Sequence, residues 1–450
     1  MKKTYIDTAM ERIAPDLILK GGNVVDVFSG RVIKADVIIK DGIICGVGSY
    51  SGENEQDVSG KYIMPGFIDS HVHIESSMTQ PSEYAKAVMP HGITTVIADP
   101  HEITNVCGED GLEFMLKSAK NIPLDVNLML PSCVPATPFE HTGANLDAKT
   151  TQKLAPKFFG IGEMMNYPGI VSGDDETLGK LCLDIIDGHA PLLSGHELDA
   201  YASAGIKTDH ECSVVEEMTE KISKGMYILL REGTLSLDVA KLIKGVTPYT
   251  LRRCAFCTDD RFVGEIIRDG SIDHCIRKAV SLGLNNIDAI IMATLNACEM
   301  YGMKNKGAIA PSYVADIVVA DDLNLSSISQ VYKNGKLVCE NGKALFECET
   351  VDNSKVTNTV HLPKISADFF KTDVKDKFDA IELIPESIIT KKVTVSYSDS
   401  LSKVCVIERH HNLGTKGIGF VTNYGITNGA IATSIGHDSH NVIVIGDNDS

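Results

Sequence analysis

The sequence predicts an α/β fold: a (β/α)8 barrel of the TIM type, a split β-sandwich domain built from both flanks, and a C-terminal α+β domain. Three observations carry this prediction. After Pro65, eight strand-like runs each precede a helix-like stretch: FIDSHVH, TTVIADPH, VNLMLPS, FFGIGEM, LDIIDGHA, GIKTDHE, MYILLRE and RCAFCTDD. On either side of that region, short apolar runs alternate with Gly-rich turns, the pattern of small strands. Ionisable residues fall at the C-terminal ends of the central strands, the face on which barrel enzymes build their sites.

A chain of 450 residues exceeds the usual size of one hydrophobic core, so several domains are expected. Residues 1–64 supply the first part of the β domain through DLILKGG, NVVDVFSG, ADVIIKDG and IICGVG. Residues 65–304 form the barrel, whose outer helices include GLEFMLKSAK, DDETLGKLCLDII, SVVEEMTEKISK and LSLDVAKLIKG, with apolar residues three and four apart. Residues 305–356 return to the strand-and-turn style in GAIAPSYVADIVVADDL and QVYKNGKLVCENGKAL, so the two flanks are expected to pair. Residues 357–450 make a third region with the strand-like runs KKVTVSYS, KVCVIER, IGFVTN and NVIVIG, after which the sequence stops at Asp449 and Ser450.

A net charge of -18 repels phosphate backbones and anionic membrane surfaces, which excludes nucleic acid as a favoured partner and points to a small molecule. The N-terminus lacks the apolar core of a signal peptide, and no stretch approaches the roughly 20 apolar residues of a membrane span. A cytoplasmic location is expected. The 12 cysteines then read as reduced thiols, mostly small core residues.

His71 and His73 stand two apart, so on a strand both imidazoles point the same way and can grip one cation. Later strand ends add Glu163, His189, His210 and Asp259. Zn2+, Fe2+ and Mn2+ all accept imidazole nitrogen and carboxylate oxygen, and a shared carboxylate such as Glu163 can hold two ions side by side. One histidine at a strand end is more often a satisfied polar residue than a ligand. Six donors in register argue for a metal site.

The stretches PGFIDSHVHIESS, ADPHEITNV, GEMMNYPG, DGHAPLLSG, TDHECSVVEE, REGT and CTDDR resemble the adenine deaminases of the amidohydrolase superfamily, and the resemblance covers essentially the whole chain. It implies a binuclear Mn2+ or Fe2+ centre, with Zn2+ as a third option, and hydrolysis of adenine to hypoxanthine and ammonia. It also implies that the C-terminal domain is incomplete here, because members of the family usually continue further. A homo-oligomer, with a dimer favoured, is the expected assembly.

Two cations can make a shared water acidic enough to attack C6 as hydroxide near neutral pH. Attack dearomatises the ring, so protons must reach a ring nitrogen and the departing amine. Asp259 can ligate metal and accept the water's proton, while Glu102, Glu211 and Glu232 each follow a strand end as candidates to protonate the ring. His101 is a further ligand or a partner of one, and Asp260 joins it at the substrate's side. The C-terminal run rich in His, Asp and Gly places His437, Asp438 and His440 as residues that close over the barrel mouth. Three rivals are weighed. The zinc deaminases with HxE and PCxxC are mimicked by His73–Glu75 and Cys254–Cys257, but the Pro is absent and six strand-like runs separate the pairs. A cyclic amidase would need a bridging lysine where Glu163 stands, and a scaffold protein would have lost ligands.

Overall fold

The computed structural model describes residues 2–372, 376–385, 389–396 and 401–448. Eight parallel strands lie within the eight runs named above: Phe67–Val72, Ile93–Ala98, Asp125–Leu130, Gly160–Met164, Ile186–Gly188, Thr208–Asp209, Tyr227–Arg231 and Cys254–Cys257. The first five form one parallel sheet and the last three another. Their edges meet. At one seam Asp259 donates its N–H to the His71 carbonyl at 3.0 Å and the His73 N–H reaches the Asp259 carbonyl at 3.1 Å. At the other, the Gly188 N–H donates to Thr208 Oγ1 at 3.0 Å. This is a TIM-like barrel.

The strands are apolar on both faces because helices cover one side and the barrel interior the other. All six residues of Phe67–Val72 and all six of Ile93–Ala98 are buried. Two helices depart from the sequence expectation. The helix expected across residues 174–186 is confined to Asp175–Gly179, and Leu181 and Leu183 instead pack irregularly against the core. Gly179, which lacks a side chain to hold helical backbone, stands where the helix stops. The stretch LSLDVAKLIKG likewise forms only Val239–Leu242 and a 3-10 turn at Ile243–Gly245.

The flanks join in one mixed sheet of nine strands, in which Tyr62–Pro65 pairs antiparallel with Ile317–Ala320 and parallel with Leu17–Asp26. The region after 357 contributes a six-stranded sheet and a 3-10 turn at Ala367–Phe370, with no α-helix among the described residues where an α+β domain was expected. Asp449 and Ser450 lie outside the described residues. Among the described residues no helix is long and apolar enough to cross a membrane. All 12 cysteines are free; Cys254 and Cys257 are wholly buried in a strand, as packing residues should be.

Candidate metal centre

Thirteen of the fourteen singled-out residues meet at one place, ten from the barrel and His437, Asp438 and His440 from the C-terminal region. Strand alternation turns His71 and His73 inward with their Nε2 atoms 3.2 Å apart, and Asp259 Oδ1 lies 3.5 and 3.1 Å from them. Glu163 sits between two groups of donors. Its Oε1 is 3.3 Å from His73 Nε2 and 3.1 Å from His101 Nδ1, while its Oε2 is 2.7 Å from His189 Nδ1 and 3.0 Å from His210 Nε2. All of these side chains except that of His189 are almost fully buried.

The donor set fits divalent cations, and the proton positions say why. His73 Nδ1 faces the Asp99 carbonyl at 2.8 Å, so it carries the proton and leaves a lone pair on Nε2, which points at His71 Nε2 and two carboxylates. The Nδ1 atoms of His71 and His210 are buried without a hydrogen-bond partner among the described residues. Lone pairs and carboxylates converging in a buried space repel unless a cation lies among them. His71, His73, Asp259 and Glu163 would hold one ion, and Glu163, His189 and His210 the other.

A cavity of about 430 Å³ opens over these donors. Its other walls include Glu211, Arg231, Leu235, Asp260 and Phe262, and Ile435, His437 and Asp438 reach it from the C-terminal region. Arg231 Nη1 bonds both Glu211 and, at 2.9 Å, Asp259 Oδ2. Burial, reinforced by the neighbouring Asp259 charge, pushes the Asp260 carboxyl up toward its neutral form. Glu102 is different: burial opposes ionisation, yet His101, His437 and His440 hold its carboxyl well below the usual range. His437 and His440 both bond the Glu102 carboxylate, fastening the C-terminal region to the barrel.

Glu232 is the residue not brought in. Its carboxylate pairs with Lys278 and does not line the cavity. Sequence reasoning also missed several supports. Asp99 accepts the Glu163 N–H at 2.9 Å; Asp69 accepts from Thr258; Asp187 accepts from Tyr301 and Thr208; Asp209 accepts the Ala190 N–H and pairs with Lys221. A readable signal existed, since DSH, DGH and TDH each place an aspartate one or two residues before a histidine of the site.

A parallel barrel with four histidines and two carboxylates at its strand ends defines a metal-dependent hydrolase. The chain matches the amidohydrolase family over residues 62–338 and the adenine deaminase C-terminal domain over residues 383–450. It is 47% identical to the adenine deaminase of Clostridium acetobutylicum, over 99% of this chain and 81% of that protein. It is 45% identical to adenine deaminase 2 of Desulfotalea psychrophila, over 100% of this chain and 81% of that protein. The β-aspartyl dipeptidase of Fervidobacterium islandicum shares the fold, with a TM-score of 0.55 at 20% identity, over 75% of this chain and 99% of the other. Enamidase does so with a TM-score of 0.55 at 18% identity, over 74% of this chain and 97% of the other. The chain belongs to the adenine deaminase family of the amidohydrolases.

Proposed function

We propose that the chain hydrolyses adenine to hypoxanthine and ammonia. What carries this reading is the six-donor site beneath a cavity of about 430 Å³, in a chain 47% identical to an adenine deaminase. Two divalent ions held at that site, Mn2+ or Fe2+ with Zn2+ as a third option, would supply water acidic enough to attack as hydroxide near neutral pH. Asp259 then takes one proton from the attacking water and passes it to the departing amine, which needs it to leave as ammonia, while the proton left on the C6 hydroxyl is balanced by the one gained at the ring nitrogen. Arg231, bonded to Asp259 Oδ2, keeps that carboxylate aimed.

Glu211 and Asp260 are the barrel's remaining carboxyl groups on the cavity wall. Glu211, bonded by Arg231, can accept a purine N–H, and Asp260 stands beside it on the cavity wall. Phe262, Leu235 and Ile435 give the flat base apolar walls. Glu102 serves the C-terminal contact rather than the ring, and Glu232 supports strand seven through Lys278. The division we propose is residues 1–64 with 305–356, residues 65–304, and residues 357–450; the shared nine-stranded sheet supports its first part. Ammonia release from adenine, guanine and cytosine by enzyme loaded with Mn2+ or Fe2+ tests the function. Release from adenine alone is expected; preference for either other base overturns the reading.

A further inference from the structure

Beside the barrel site lies a second set of donors that the deamination does not use. His101 and Glu102 open the helix His101–Ser118, and His437 and Asp438 come from the loop before the strand Val442–Gly446. His101 Nε2 is 3.2 Å from Glu102 Oε1 and 3.7 Å from Asp438 Oδ1, and His437 Nδ1 contacts Glu102 Oε1. The four donor atoms all lie within 4.8 Å of one another. Four ligands at tetrahedral corners, with bonds of about 2.0–2.1 Å, stand roughly 3.3–3.5 Å apart. The separations of His101 Nε2 from Glu102 and from Asp438, 3.2 and 3.7 Å, bracket that spacing.

We propose that His101, Glu102, His437 and Asp438 form a third divalent-metal site, a two-histidine, two-carboxylate centre that joins the barrel to the C-terminal region. The geometry of His101 supports it from both ring nitrogens. Its Nε2 faces the proposed ion, while its Nδ1 lies 3.1 Å from Glu163 Oε1, and a ligand histidine normally directs its other nitrogen at a carboxylate or carbonyl in this way. The ring is only 3% exposed. Hydrogen bonding alone accounts for this cluster less well. Glu102 is approached by three imidazoles at once, and Asp438 adds a second carboxylate to the same point, so a dication balances charges that proton sharing leaves crowded. His440, on the far carboxylate oxygen Oε2, would orient Glu102 without touching the ion. Entry is open, since the His437 side chain is 39% exposed.

The ion would pin residues 437 and 438 over the cavity, so this site rests on the barrel reading only for its consequence and not for its ligands. The test uses the full chain, stripped with chelator and dialysed against Zn2+, with metal counted by elemental analysis. Wild type is expected to hold three equivalents, and His437→Ala and Asp438→Asn two each, with their thermal transitions intact. The two ions kept by both variants separate failure here from failure of the barrel site. Saturation of wild type at two equivalents, or three retained in both variants, overturns the proposal. Should a variant fold poorly, the wild-type count alone still decides between three and two.

Discussion

The carboxylate of Asp99 occupies the space that a side chain at position 162 would need: a Cβ on Gly162 would lie 2.1 Å from its Oδ2. That same oxygen accepts the N–H of Glu163, so a glycine is what lets the aspartate hold the proposed metal bridge in place. Gly162→Ala should displace Asp99 and lower metal affinity by roughly 10–100-fold, the usual effect of losing a ligand's support; equilibrium dialysis giving wild-type affinity would refute this. At Glu163 itself the effect should be larger, because both groups of barrel donors share its two oxygens. Glu163→Gln is expected to lose at least one barrel ion, and an unchanged metal content would remove it from the bridging role. Asp259→Asn removes a ligand and a proton acceptor together. Turnover should fall by at least roughly 10²–10⁴-fold, the range of general acid–base catalysis, with the fold retained. A variant keeping a tenth of wild-type kcat contradicts the assignment.

Strands five and six are held from behind by a helix. Lys221, on Val215–Ser223 and wholly buried, donates to Asp209 at 2.9 Å, to Glu217 at 2.7 Å and to the Ala190 carbonyl at 2.6 Å. Ala190 follows His189 and Asp209 precedes His210, so one ammonium ties down the backbone beneath two of the proposed ligands. Removing it strands two buried carboxylates, a change that typically costs about 3–5 kcal/mol. Lys221→Met should therefore unfold at lower denaturant by about that much, as measured by equilibrium urea melts; a loss below about 1 kcal/mol would mean that water or rearrangement replaces the lysine. The strand ends were legible in the sequence because each joins an apolar run to a polar tip. The short helices were not, since Leu181 and Leu183 satisfy a helical pattern while packing on the core without one.

Across the whole molecule, the barrel supplies the donors and the C-terminal region supplies the cover. His411 and Asn441 reach the carbonyls of Thr142 and His141, and Ile435, His437 and Asp438 stand on the cavity wall. A ribose on N9 would have to share the space beneath that cover, so the enzyme should act on adenine and reject adenosine. Steady-state kinetics on both compounds check this, and comparable kcat/KM values would mean that the cover stands open. Chelation should abolish deamination, with recovery on adding Mn2+ or Fe2+; activity persisting in metal-free enzyme would remove the metals from the chemistry.

The sequence by itself determined the barrel and singled out six side chains that meet at its strand ends, because strand periodicity and the placing of His and acid at strand ends are local properties that a linear pattern records. It also recorded that His437, Asp438 and His440 are unusual for a β region. Only the tertiary structure decided what each acid meets. Glu102, Glu211 and Glu232 look alike after their strands, yet the first is clasped by His437 and His440 from more than 330 residues away, the second is gripped by Arg231 on the cavity wall, and the third is paired with Lys278 outside it. A carboxyl group's role follows from the charges it meets and the water it loses, and both are set by residues distant in the chain.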